Sequence, residues 1–266
     1  MSDRSKDEIR KAVRENYASV AQAGSSSCCE PAASCCSGAP PTADEIAAQL
    51  GYSTEELSAV PDGANMGLGC GNPRAIAGLK PGEVVVDLGS GGGLDCFLAA
   101  KQVGDTGRVI GVDMTPEMIE KARNNARQVG ADNIEFRLGE IEHLPLADNS
   151  ADVIISNCVI NLSPDKPAVY ADAFRVLRPG GRLAISDVVA TAEMPEQIRD
   201  NIKLLAACVS GAAKVADLEQ LLSGIGFVDV DIALKEGSRE FIREWAPGHG
   251  IEDYVSSAYI TARRPG

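Results

Sequence analysis

Long apolar runs are missing from this sequence. No stretch approaches the ~18 consecutive apolar residues that a membrane-spanning helix needs. The N-terminus, MSDRSKDEIRKAVREN, is charged and lacks the apolar core of a signal peptide. A cytoplasmic protein with no membrane partner is therefore expected. Positive charge is also short. Lys and Arg total 25 against 38 Asp and Glu, a net charge of −13. Such a chain repels phosphate backbones, which argues against nucleic acid as a partner. Solubility is explanation enough for the acidic balance. Aromatic residues are scarce, at 4%, and no internal repeat is visible. What remains is 266 residues with 44% hydrophobic content. That suits one large α/β domain, alone or with appendages.

Cysteine is not scarce. There are eight, and four of them stand in SSSCCEPAASCCSGAP, residues 25–40: Cys28, Cys29, Cys35 and Cys36. The segment has no apolar periodicity, so no core can use them. A reducing cytosol argues against a structural disulfide set. Metal binding or thiol chemistry is the better starting point.

The chain begins with a helical pattern over residues 1–23, where Ile9, Val13, Tyr17 and Val20 recur at three- and four-residue steps. Thr42 with Glu45 reads as a capping box opening a helix to Leu50, and Ser53 with Glu56 repeats the signal. Residues 61–73, PDGANMGLGCGNP, cannot be regular structure. From residue 83 short apolar runs alternate with helical segments. EVVVDLG, RVIGVD, NIEFRLG, ADVIISN and GRLAISDVV read as five buried parallel strands. Helices are expected at Leu94–Gln102, Pro116–Val129 and Pro167–Leu177, then at Pro195–Val209 and Lys214–Ile225. Two further strands, 228–235 and 255–263, close the chain. Alternation of this kind predicts a Rossmann-like, doubly wound sheet. Three regions follow: an N-terminal helix and loop extension (1–75), a Rossmann-like core (76–190) and a C-terminal region (191–266).

The strongest local signal is VVVDLGSGGGLD. An acid, Asp87, ends the first strand, and Gly89, Ser90, Gly91 and Gly93 follow. The spacing is D-x-G-x-G-x-G, not the dinucleotide fingerprint G-x-G-x-x-G. Glycines at a strand's carboxyl end let a ligand approach the backbone. Asp113 and Met114 end the second strand, where a carboxylate suits ribose hydroxyls. Glu140 and Ile141 follow the third strand, and Asn157 ends the fourth. These positions converge on one crevice.

Asp87 through Gly93, Asp113, Glu140 and LRPGGRLAISD resemble class I S-adenosylmethionine-dependent methyltransferases. The resemblance implies a seven-stranded, mostly parallel sheet whose last strand is antiparallel. It also implies S-adenosylmethionine as cofactor: methionine part at the Gly loop, ribose at Asp113, adenine after strand three.

Three cysteines bear on the methyl acceptor. Cys70 sits in GLGCGNP, Cys158 follows the fourth strand in SNCVINL, and Cys208 lies toward the end of the helix expected after the fifth. Elements at that sheet edge face the ligand crevice. Three converging thiolates make a soft trigonal site, which selects a thiophilic centre such as trivalent arsenic. Arsenic bound to three sulfurs keeps a lone pair for the methyl. Thiolates are the ligands, so binding is expected to release protons. Cys96, among Leu94, Phe97 and Leu98, reads as a buried small hydrophobe. A lone pair needs no general base, which leaves His143 and His249 without a catalytic role.

The segment LGYSTEELSAVPDGANMGLGCGNP, the SNCVINL motif, the Cys208 segment and the tail EWAPGHGIEDYVSSAYITARRP resemble arsenite S-adenosylmethionine methyltransferases, from about residue 9 to the end. The resemblance implies that Cys70, Cys158 and Cys208 bind arsenic and take part in transfer. It implies a thiol reductant, glutathione or thioredoxin. It also implies an N-terminal cysteine partnering Cys70 in returning arsenic to the trivalent state. Cys35 and Cys36 are nearer in sequence than Cys28 and Cys29, and the second pair has no assignment. Two other readings stand beside this one: a class I methyltransferase for a carbon, oxygen or nitrogen acceptor, and a non-catalytic thiol-based metalloid-binding protein.

Overall fold

The computed structural model describes residues 5–23, 41–201, 204–205 and 207–266. Cys28, Cys29, Cys35 and Cys36 lie outside the described residues.

The five apolar runs form strands β1 (Val84–Leu88), β2 (Arg108–Asp113), β3 (Ile134–Leu138), β4 (Ala151–Asn157) and β5 (Leu177–Ala190). All pair in parallel. A two-residue strand, β6 (Ala213–Lys214), adds to β5. β7 (Val228–Leu234) and β8 (Val255–Arg263) finish the sheet in the order β3-β2-β1-β4-β5-β8-β7. β8 runs antiparallel to both neighbours. The sheet therefore has eight strands rather than seven, because β6 is too short to leave a sequence signal.

The central strands are apolar on both faces because helices cover both faces. Val153, Ile154 and Ile155 of β4 are all at 0% exposure, each worth about 2 kcal/mol of apolar burial. One face packs under the helices Leu94–Val103 and Pro116–Val129, the other under Lys166–Val176 and Val215–Ile225. At the N-terminal side, α1 (Lys6–Ala23) is amphipathic as expected, with Ile9, Val13 and Val20 buried. Both expected capping boxes are formed, at Thr42–Glu45 and Ser53–Glu56. The segment 61–73 contributes no strand or helix.

One expected element differs. Residues 195–209 do not form a single helix. A short helix spans Glu196–Arg199, and Cys208 sits in a turn with φ +62°. The reason is tertiary. The Cys208 N–H donates to Leu205 O, while Val209 N–H and Ser210 N–H fold back onto Leu204 O. The Ser210 hydroxyl donates to Ile198 O and Asn201 O. Gly211 lies so close to Asn161 that a Cβ there would be 2.0 Å from its carbonyl oxygen. These contacts bend the chain back onto the sheet edge and outweigh local helix propensity. A second difference is the helix Ser238–Trp245, which the sequence pattern does not announce.

Candidate active site

The carboxyl ends of β1, β2 and β4 open into a cavity of about 440 Å³. Asp87, Gly89, Ser90 and Gly91 line it from β1, Asp113 and Met114 from β2, and Asn157 and Cys158 from β4. Ile141 and Cys208 complete the set of expected residues on its wall. Gly93 is set back as the N-cap of the helix Leu94–Val103, where a Cβ would strike Phe97 and Phe136.

The Gly loop is shaped by φ values that favour glycine. Gly89, at φ +72°, passes Val159 so closely that a Cβ would lie 2.4 Å from its methyl. Gly91, at φ +51°, has nothing among the described residues within 4 Å of where a Cβ would be. Its N–H donates to Asp113 Oδ2 at 3.0 Å, and Thr115 N–H donates to Oδ1 at 2.8 Å. Burial pushes the Asp113 carboxyl up while these backbone bonds pull it back. The Ser90 hydroxyl is buried and has no partner among the described residues.

Beneath the loop lies a second acid. Asp87 is 3% exposed, and burial, reinforced by Asp95, drives its carboxyl well above the usual range. Cys96 is buried as expected, yet its thiol also donates to Asp87 Oδ2 at 3.2 Å. Asp95, by contrast, is well held: Tyr52 OH donates to it at 2.8 Å and Arg74 lies at 3.7 Å.

Glu140 is placed differently from its expectation. It turns toward Arg14 at 3.4 Å and Arg10 at 3.5 Å, away from the cavity wall. Glu142 lines the cavity instead, with Ser163 Oγ donating to it at 2.6 Å and Arg10 Nε at 3.3 Å. Two acids separated by one residue give no sequence basis for choosing between them.

Cys158 and Cys208 stand on the cavity wall, and Cys70, which does not line it, lies buried behind them with its sulfur within 4.8 Å of that of Cys158. Cys70 is fully buried, so its loop is folded over the sheet edge. Its N–H donates to Asn157 Oδ1 at 3.0 Å, and its carbonyl accepts from Ser257 Oγ at 2.8 Å. Cys158 follows β4, and its N–H donates to Ser186 O at 2.7 Å. The Cys208 thiol donates to Cys158 O at 2.7 Å. All three belong to one apolar cluster. Cys158 and Cys208 have φ of +59° and +62° and are two of only four non-Gly residues with positive φ among the described residues. Each such residue costs of order 1–3 kcal/mol, and strain of this kind gathers at functional sites.

The neighbouring thiols of Cys208 and Cys70, together with burial, push the Cys158 thiol well above its ordinary range. Cys208 is also raised: its bond to Cys158 lowers it, but burial and the nearby Asp187 charge prevail. Asp187, on β5, is a residue the sequence reading missed. Its carboxylate and the Cys70 and Cys158 sulfurs all lie within 4.8 Å of one another. Burial pushes Asp187 up to about 6.

Asn157 joins the two halves. Its Oδ1 holds the Cys70 N–H, while its Nδ2 donates to Gly71 O at 2.8 Å and Tyr52 OH at 3.0 Å. Asn157→Ala leaves the first two groups unpaired, a loss of roughly 2–4 kcal/mol. A melting temperature lower by about 5–10 °C is expected, with Cys70 newly reactive toward an alkylating reagent. An unchanged melt with Cys70 still shielded would show that the hub does not hold the loop.

A methyltransferase-domain family profile matches residues 79–226. The arsenite methyltransferase of Halobacterium salinarum is 51% identical over the whole of this chain, which spans 69% of that relative. The mouse arsenite methyltransferase is 35% identical over 85% of this chain, which spans 60% of it. The crystal structure of an arsenic(III) S-adenosylmethionine methyltransferase from Chlamydomonas reinhardtii superposes with a TM-score of 0.61. It is 38% identical and aligns over 86% of this chain and 75% of its own. With a whole-chain likeness of this strength, a sheet of the class I order and cysteines gathered beside its ligand cavity, the chain belongs to the arsenite methyltransferase family.

Proposed function

We propose that this chain methylates trivalent arsenic bound by Cys70, Cys158 and Cys208, with S-adenosylmethionine as donor. The observation that carries the reading is the meeting of three buried cysteines in one cluster, two of them on the wall of the cavity that the Gly loop and Asp113 also line. An organic acceptor would leave those thiols idle. A sequestering protein would have no use for the Gly loop.

The residues fit the donor. The unpartnered Ser90 hydroxyl, the open face of Gly91 and the Asp113 carboxylate offer a donor, a backbone approach and an acceptor for a ribose-bearing ligand. Asp87 has no ion pair within 4 Å among the described residues and suits an ammonium group. Met114, Ile141 and Glu142 line the wall where the adenine would rest. Bound there, S-adenosylmethionine supplies an electrophilic sulfonium methyl.

The thiols hold and orient the substrate. Arsenite reaches neutral solution as a hydroxide, so each As–S bond formed expels a hydroxyl. The protonated thiols of Cys158 and Cys208 supply the proton that leaves with it as water, in place of the free proton release expected from the sequence. Three sulfurs at fixed positions point the arsenic lone pair one way, which removes much of the entropic cost of a two-body step. His143 and His249 do not line the cavity.

Methyl transfer leaves arsenic formally pentavalent, and two thiols closing to a disulfide return two electrons to it. We assign this step to the N-terminal thiols, with Cys35 and Cys36 favoured over Cys28 and Cys29, and an external thiol such as glutathione or thioredoxin reopening the disulfide. In this reading residues 1–75 carry the reducing thiols and the Cys70 loop, 76–190 hold the donor, and 191–266 complete the arsenic site. The cytoplasm, with its reduced thiols, is the proposed location. Among the described residues no helix is long and apolar enough to cross a membrane.

The test of the activity is to supply arsenite and methyl-labelled S-adenosylmethionine and follow the label. Label on arsenic supports the reading. Label on an offered quinol or amine, with none on arsenic, would replace it with the organic-acceptor reading. The test of the reductive step is a chain lacking residues 25–37. It is expected to complete one methyl transfer per enzyme and then stall, most severely when external reductant is weak. Sustained turnover under that limitation would show these cysteines to be dispensable.

A further inference from the structure

Asp187 stands beside the thiols without belonging to them. It is 2% exposed, and its carboxylate is fixed from two sides. Val188 N–H donates to Oδ1 at 2.8 Å, Asn161 Nδ2–H donates to Oδ1 at 2.9 Å, and Asn161 N–H reaches Oδ2 at 3.3 Å. Among the described residues no ion pair within 4 Å engages it. The Lys166 ammonium acts on it from farther away, and burial weakens that ammonium's own hold on its proton. A buried, braced, unpaired anion whose oxygen lies within 4.8 Å of two sulfurs is costly to maintain.

We propose that the Asp187 carboxylate is the counter-charge for the positive charge that methyl transfer places on arsenic, an inference that rests on the arsenite-methylation reading. The balance is simple. The arsenic lone pair forms the As–C bond. The C–S bond of the sulfonium breaks, and its electron pair stays on that sulfur, which becomes neutral. Arsenic, neutral while bound to three thiolates, becomes a four-coordinate cation. No proton moves. One unit of positive charge thus migrates from the donor sulfur toward the thiol cluster, where Asp187 is already in place. An anion fixed in advance at the receiving end, in a site shielded from water, stabilises the transition state more than the ground state. Asp187 is therefore expected to act on rate rather than on substrate affinity.

The test is Asp187→Asn in the full chain. The amide preserves the shape and keeps an oxygen for Val188 and Asn161, but removes the charge. Arsenite affinity can be read from the fluorescence of Trp245, the single tryptophan, which lines the cavity. It is expected to stay within about threefold of the parent. The single-turnover methyl-transfer rate with abundant thiol is expected to fall at least about 100-fold, the size seen when one preorganised electrostatic partner is removed. Asp187→Glu, which restores the charge, is expected to recover part of that rate, and serves if the amide variant does not fold. A rate for Asp187→Asn within threefold of the parent overturns the proposal. So does a parallel loss of arsenite affinity, which would make Asp187 a structural support of the thiols. If the parent itself places no methyl on arsenic, the underlying reading falls, and this role with it.

Discussion

Asp113→Ala is expected to weaken S-adenosylmethionine binding by roughly 100-fold while leaving arsenite binding nearly intact. The carboxylate ends β2 at the cavity wall and can accept both ribose hydroxyl protons. Hydrogen bonds to a charged group contribute about 1.5–3 kcal/mol each, so the loss of two accounts for at least that factor. A second effect adds to it. Asp113 also holds the Gly91 N–H, so the alanine variant frees the Gly loop as well as removing the ribose acceptor. Asp113→Asn separates the two contributions, because its amide oxygen can still accept from the loop. It is expected to bind the donor with intermediate affinity. The Asp113 carboxylate bonds to Gly91 and Thr115 and not to the thiols, which is why arsenite binding is spared. Unchanged donor affinity of Asp113→Ala by calorimetry would remove Asp113 from the site.

The larger effect is expected at the cysteines. Cys158→Ser and Cys208→Ser should each lower methyl transfer by at least about 100-fold, on arsenite and on trivalent monomethylarsenite alike. Serine oxygen is too hard a donor to replace thiolate at arsenic. These two residues form the inner pair: the Cys208 thiol bonds directly to the Cys158 carbonyl, and both backbones are held at positive φ. Once one methyl is attached, arsenic has two sulfur positions left, and this pair fills them. Cys70 approaches from a separate loop, its backbone tied down through Asn157 and Ser257 while its thiol neighbours that of Cys158. Cys70→Ser should therefore impair arsenite more than monomethylarsenite. The comparison requires abundant thiol reductant, so that reduction does not limit the rate. Near-parental activity of Cys158→Ser or Cys208→Ser on monomethylarsenite would end the two-plus-one division. Full activity of all three variants on arsenite would end the cysteine reading itself.

The sheet was legible in the sequence because strands buried on both faces read as continuous apolar runs, such as VVVDL and DVIIS, and glycines punctuate their ends. The Gly loop and Asp113 were legible for the same local reason. Cys158 could be placed at the ligand edge because the end of β4 fixes it, and Cys70 because a Gly-rich loop can fold over that edge. Cys208 could be placed there too, but not in its turn: the contacts that bend that segment come from Leu204, Ile198 and Asn161, and the last lies fifty residues before Gly211 in sequence. Long-range pairing also hid the roles of Tyr52, Asp95 and Asn157, which meet across 43 to 105 positions. Asp187 reads as an ordinary strand residue in LAISDVV. Only the return of the Cys70 loop to β5 shows what it faces.

The most direct test of the central claim is X-ray absorption at the arsenic edge on the chain loaded with arsenite. The account predicts a first shell of three sulfurs and no oxygen in the parent, falling to two sulfurs in Cys70→Ser. A shell of oxygen donors in the parent, or three sulfurs retained when Cys158 or Cys208 is replaced by serine, would contradict it.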